Sequence, residues 1–241
     1  MHYFNRKCHY ILLIHMVYHS IMEKLSSLSD SKNLEGMKRY GIRTKSALGV
    51  PMPEIRKLAR EAGKDHALAE KLWSSGVHEA RILASLVDEP EKVKEEQMDN
   101  WARDFNSWDV CDQVCMNLFD KTPYAYRKAR EWSRRDEEFV KRAAFALIAA
   151  LAVHDKEADD ERFINLLPVM VRESTDERNF VKKAVNWALR QTGKRNAVLN
   201  SLAVRAAREM QKKDSPSAKW IASDALKELT SEKVKKKLSL T

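Results

Sequence analysis

Glycine and proline are scarce in this chain, six of each in 241 residues. A β-sandwich or barrel needs frequent turn punctuation, and no stretch alternates apolar and polar residues long enough to make a strand, so sheet architectures are excluded. Cysteine is scarcer still. Three thiols, Cys8, Cys111 and Cys115, do not make a disulfide framework and fit a reducing cytosol. The histidines His66, His78 and His154 are scattered without ligand spacing, and no Cys-rich or His-rich motif accompanies Cys111 and Cys115, so no metal site is expected. A Gly-rich phosphate loop, a nucleophile elbow and a helix-hairpin-helix signature are all missing. The one apolar run, Tyr10 to Val17, is too short to span a bilayer; His15 interrupts it and no small-residue cleavage site follows. Neither a membrane span nor a secretory signal is read there, and a cytoplasmic protein is expected.

What is abundant is Ala, Leu, Lys, Glu and Arg, the composition of an all-helical protein. "GVPMPEIRKLAREAG" supplies a loop and then a helix, with Pro53 in the first turn and Gly63 at the stop. Further helices are expected near 66–74, 78–87, 91–103, 108–119, 123–133, 137–153, 159–173, 177–192, 196–211 and 216–227. A weak internal repeat runs through them. "FVKRAAFAL" at 139–147 resembles "FVKKAVNWAL" at 180–189, 41 residues on; "SAKWIASDAL" at 217–226 echoes the shape and "HEARILASL" at 78–86 does so faintly. Helix pairs repeating every ~40 residues point to an all-α, HEAT-like or armadillo-like solenoid with a concave basic face. Residues 1–21 are set apart as an N-terminal extension, with Met22 an alternative start, 22–230 form one repeat domain, and 231–241 are a basic tail.

Basic residues outnumber acidic ones by 44 to 35, a formal net charge of +9. That excess suits a polyanionic partner, and equally suits a protein with solvated lysine faces. The helical faces add detail at 100° per residue. Val110, Cys111, Val114 and Leu118 make the buried side of 108–119, which leaves Trp108, Asp112 and Phe119 on another face. In 137–153 the apolar side is Val140, Ala143, Ala144, Leu147 and Leu151, and Arg142 points nearly opposite. In 177–192 the apolar side is Val181, Ala184, Val185 and Ala188; Trp187 lies about 120° from its centre, grouped with Lys183, Arg190 and Lys194. Singly, each has an ordinary explanation: indoles pack between repeats, aspartates are solvated, and Arg142 pairs with Glu138. Together, an acid flanked by aromatic walls and cations suits a cationic ligand held against a phosphate backbone.

These residues carry a resemblance. "ALGVPMPEIRKLA", "SWDVCDQV", "VKRAAFAL" and "FVKKAVNWALRQ" resemble, over about residues 34–227, the AlkD-type DNA alkylation repair family of HEAT-like-repeat glycosylases. Trp108 and Asp112 match that family's Trp-x-x-x-Asp pair, Arg142 its active-site arginine and Trp187 its second catalytic tryptophan. The resemblance implies release of N3- and N7-alkylated purines from double-stranded DNA by a nucleoid-associated monomer, without metal or small-molecule cofactor. It implies that Asp112 stabilises the sugar cation, with Trp108 and Trp187 packing the lesion. Arg142 is expected to clamp a phosphate, and Lys183, Arg190 and Lys194 to extend the DNA contact. The alternatives left open are a non-catalytic HEAT-like scaffold for nucleic acid and a purely protein-binding solenoid.

Overall fold

The computed structural model describes residues 2–239, with the side chains of residue 10 and of residues 12–239. Met1 of the expected extension, and Leu240 and Thr241 of the expected tail, lie outside the described residues. All regular structure among the described residues is helical. The contacts divide the chain into two units, Met1–Trp101 and Ala102–Thr241.

The first unit holds α1 (His2–Ser27), α2 (Ser31–Arg39), α3 (Met52–Ala62), α4 (His66–Ser74), α5 (His78–Val87) and most of α6 (Glu95–Arg103). Local chemistry fixes the ends of these helices. Asp30 and Asp65 accept from backbone N–H groups in the first turns of α2 and α4, satisfying donors that a helix leaves unpaired. Gly63 stops α3 at a φ of 73°, as its position after the periodic run predicted. α6 begins at Glu95 rather than 91, because the chain after Pro90 first makes a turn. α1 is continuous across the expected boundary between 21 and 22, and it buries Ile14, Ile21 and Leu25. The loop before α3 hangs on a buried acid: the Glu79 carboxylate accepts from the N–H of Leu48 and, at 2.7 Å, from that of Gly49.

The second unit holds α7 (Trp108–Asn117), a 3-10 turn (Phe119–Lys121), α8 (Ala125–Trp132), α9 (Glu138–His154), α10 (Asp160–Ile164), α11 (Leu167–Glu173), α12 (Asn179–Gly193), α13 (Ala197–Gln211), α14 (Pro216–Leu229) and α15 (Glu232–Lys237). The single helix expected over 159–173 is two, because Pro168 has no N–H to give and its ring clashes with the carbonyl four residues back. The 231–241 segment is not wholly a solvated tail: Ser231 caps α15, and Val234 is buried.

Four helices, α7, α9, α12 and α14, stack side by side as one layer, with α8, α11 and α13 packed behind as the other halves of helix pairs. The layer is parallel. Cys111 and Cys115 of α7 donate weakly, at 3.6 Å, to the carbonyls of Phe139 and Ala143 of α9, and the rings of Phe139 and Phe180 meet at 5.5 Å. α9 lies at the centre. Twelve of its 17 residues are buried, so it has no solvent side, and its alanines let neighbours close in from several directions. One apolar stripe was expected on this helix; Phe145, Ala146, Ile148, Ala149, Ala150 and Ala152 bury as well.

Gly49 makes the anchoring of the first-unit loop testable. Its φ is +79°, and a Cβ there would lie 2.2 Å from the Asp30 carbonyl oxygen. Gly49→Ala is expected to lower unfolding free energy by more than ~1 kcal/mol, from the left-handed backbone alone. A fall in the urea midpoint at unchanged slope is the expected result.

Candidate active site

Trp108 opens α7, directly after the extended residue Ser107, and Asp112 follows one turn later. Val110, Cys111, Val114 and Leu118 are buried as their spacing required, which turns Trp108 and Asp112 toward the rim of the layer, each half-buried. Phe119 does not join them. The α-helix ends at Asn117, the chain turns at Leu118 (φ −132°) into the 3-10 turn, and the Phe119 ring is buried against Phe105 and Trp132. Extrapolating a helical wheel past the helix end placed it wrongly.

Arg142 of α9 comes to Asp112 in a two-pronged ion pair. Its Nε donates to Oδ1 at 2.9 Å and its Nη2 to Oδ2 at 2.7 Å, while Nη1 donates to the Phe180 carbonyl of α12 at 2.6 Å. The guanidinium carbon stands 5.8 Å from the centre of the Trp108 ring. So one side chain joins α7, α9 and α12. The expectation that Arg142 points away from the core and clamps a phosphate is not met: it is buried, and each of its three nitrogens is already engaged. The reason is the central position of α9, whose flank opposite the apolar stripe is covered too.

The pair is nearly dry, with 7% of the Arg142 side chain and 14% of the Asp112 side chain exposed. Burial pushes the Asp112 carboxyl above the ordinary aspartate range, and the charge and hydrogen bonds of Arg142 pull against that rise. For Arg142 the same burial disfavours the cation, yet the Asp112 charge more than offsets it and holds the guanidinium protonated. Two N–H groups aimed at two oxygens fit an ionised carboxylate; a protonated one would turn an O–H toward a group with nothing to accept it.

Beyond the pair, Phe139 and Phe180 are half-buried at the heads of α9 and α12. The sequence reading did not nominate them, although the 41-residue repeat places a phenylalanine at the start of both segments. Trp187 is half-buried on α12, seven residues beyond Phe180 and about 10 Å farther along the helix axis. Lys183 is exposed and has no ion pair among the described residues. Arg190 and Lys194 differ from it. They reach across to α14, donating to the two oxygens of Glu228 at 2.5 and 2.6 Å. Burial alone would raise the Glu228 carboxyl; the two cations hold it below the ordinary range. The predicted positive stripe is therefore half neutralised from within. His78 and His154 stand at helix ends, His154 bonded to Asp120 at 2.5 Å. No cluster of His, Cys, Asp or Glu that would hold a metal ion occurs among the described residues, and no helix among them is long and apolar enough to cross a membrane.

Comparison with known proteins gives the family and the fold. The profile of the family described as DNA alkylation repair enzyme matches residues 21–229. Among solved structures, one described as "a new family of proteins related to the HEAT-like repeat DNA glycosylases with affinity for branched DNA structures" superposes with a TM-score of 0.72 at 18% identity. That match covers 86% of this chain and 93% of the other, and it shows the HEAT-like fold. A designed armadillo repeat protein in complex with the peptide (KR)4 gives a TM-score of 0.31 at 14% identity, over 77% of this chain and 88% of its own. No curated protein sequence matches.

Removing one member of the buried pair strands the other's charge. Arg142→Ala is expected to cost about 3 kcal/mol of stability. The double variant Asp112→Ala/Arg142→Ala should cost less than the sum of the two single changes, a coupling that urea denaturation of all four proteins measures.

Proposed function

Because the chain belongs to the DNA alkylation repair enzyme family, we propose that it hydrolyses the N-glycosidic bond of N3- or N7-alkylated purines in double-stranded DNA. One observation carries this reading: a single carboxylate, Asp112, is oriented by a two-pronged ion pair beside an indole, with a small part of its surface still open.

Alkylation leaves the purine cationic and weakens its bond to the sugar, so the base is already a good leaving group. The bond breaks with both electrons passing to the purine, which becomes neutral, and the positive charge moves onto C1′ and the ring oxygen of the deoxyribose. A fixed anion in a nearly dry site stabilises that charge, by ~3 kcal/mol or more for a well-placed group. Water then adds at C1′ and loses its proton to the Asp112 carboxylate. Trp108 and Trp187 pack the sugar and the cationic lesion, where the face of an indole contributes ~0.5–2 kcal/mol. Arg142 acts as a positioning residue: it sets the plane of the carboxylate and opposes its protonation. Lys183 meets the phosphate backbone directly, whereas Arg190 and Lys194 do so in exchange for Glu228. None of these steps calls for a cofactor.

A second reading is favoured by the saturation of Asp112, both of whose oxygens already accept from Arg142. In it the chain binds DNA without excising bases; the solved relative is described as having affinity for branched DNA structures.

Base release separates the two. Wild type is expected to free 3-methyladenine or 7-methylguanine from alkylated duplex. Asp112→Asn should lose at least ~100-fold in rate while duplex binding persists. Tight binding with no freed base in the wild type would remove the glycosylase. Release should also fall on the acid side as Asp112 takes up a proton. Since burial raises that carboxyl, the fall begins at a higher pH than for an ordinary aspartate. Arg142→Met, which removes the opposing charge, should move the acid limb higher still; an unmoved limb would exclude Asp112 as the titrating group.

A further inference from the structure

α12 and α14 lie in parallel and meet in rungs 38 residues apart. Lys182 Nζ stands 5.6 Å from the centre of the Trp220 ring, Asn186 Nδ2 donates to Asp224 Oδ2 at 2.6 Å, and Arg190 Nη1 donates to Glu228. In the first of these rungs sits an indole that the packing covers only in part. The buried side of α14 is made by Ala218, Ile221, Ala222, Ala225 and Leu229, and Trp220 is left 41% exposed. With Asp224 one turn on, it repeats the Trp-x-x-x-Asp spacing of Trp108 and Asp112 on the last helix of the same layer.

The two pairs differ in a way that bears on what each does. Asp112 is locked by a guanidinium in a nearly dry setting. Asp224 has a neutral amide as its close partner, with Arg190 Nε at 3.6 Å, and 43% of its side chain is exposed. A sugar cation gains little from a carboxylate bathed in water, so the second pair is not a second reaction centre. Its indole is the informative part. A large exposed aromatic surface is costly to leave in water, and the groups around it are cationic. Lys182 has no carboxylate partner among the described residues; Lys183 is its neighbour; Lys219 adjoins Trp220, 3.5 Å from Asp214.

We propose that Trp220 is a stacking platform for an unpaired nucleobase of DNA, with Lys182 taking the phosphate of the same nucleotide. A nucleotide presents one flat π-face and one anion, and this rung presents an indole and an unpaired ammonium. In the free protein the ammonium rests over the ring, an exposed contact weak enough for a phosphate to displace. Stacking on an aromatic side chain tolerates any base, since every base has a π-face. The site thus reads local unpairing rather than sequence. The inference rests on the reading that the second unit binds DNA, and adds a structural feature of the DNA to which it responds.

The test uses the full chain and undamaged, fluorescently labelled probes: a continuous duplex, and the same duplex carrying a short single-stranded gap. Anisotropy titrations at fixed ionic strength are expected to show tighter binding of the gapped probe by the wild type. Trp220→Ala should lose about tenfold on the gapped probe and stay within about twofold on the continuous duplex. Trp220→Phe, which keeps a π-face, should retain most of the preference. Lys182→Ala should weaken both probes and flatten the salt slope by about one. Circular dichroism of each variant checks the fold, which an exposed side chain leaves intact. Equal losses on the two probes, no loss on the gapped one, or equally Trp220-dependent capture of polyglutamate would overturn the proposal. Because the probes carry no lesion, a protein that frees no alkylated purine but keeps the Trp220-dependent preference loses only the glycosylase reading. Base release without that preference loses only this inference.

Discussion

The ion pair between Asp112 and Arg142 is the constraint around which the second unit is arranged. It is an expensive feature. Taking a carboxylate and a guanidinium out of water costs several kcal/mol per ion, and a matched pair of apolar side chains in the same place is often no less stable. What the pair provides is position: a charge whose orientation three helices determine jointly, through Arg142 on α9, Asp112 on α7 and the Phe180 carbonyl on α12. That position requires α7 and α12 to approach α9 from two sides, which the small residues Ala143, Ala144, Ala146 and Ala149 allow. The alanine-rich sequence of α9 and the buried charge on it are two parts of one solution.

Much of the fold was legible because its signals are local. The helices at 66–74 and 78–87 fall where periodicity puts them, and Gly63 ends α3 where a glycine after the periodic run predicts the stop. The repeat between 139 and 180 was legible too, and in the structure its two phenylalanines meet as a tilted ring pair. What periodicity does not contain is the partner of each face. A helical wheel assigns α9 one buried side, whereas the layer buries it all round, so Arg142 was placed in solvent. Glu228 lies 38 residues beyond Arg190, and only the parallel register of α12 and α14 brings them together. The nomination of Trp108 and Asp112 as a pair drew on spacing; their union with Arg142 required the fold.

This also changes how the net charge should be understood. A formal +9 describes the whole chain, but cations on the α12–α14 rungs are unequal. Arg190 and Lys194 share an acid, while Lys182 and Lys183 have none among the described residues. A polyanion gains most from the latter two, since it need not first break an existing ion pair. Where the basic character lies matters more than its sum.

The cysteines of α7 acquire a meaning from the family to which the chain belongs. Damage to DNA bases by methylating agents is caused by electrophiles that also attack sulfur, and a thiolate is the form they attack fastest. Cys111 and Cys115 sit under Asp112 on the covered side of the same helix, fully shielded, and burial drives the Cys115 thiol far from ionisation. By enclosing these two sulfurs, the helix that carries Asp112 leaves neither of them open to such an electrophile from solvent.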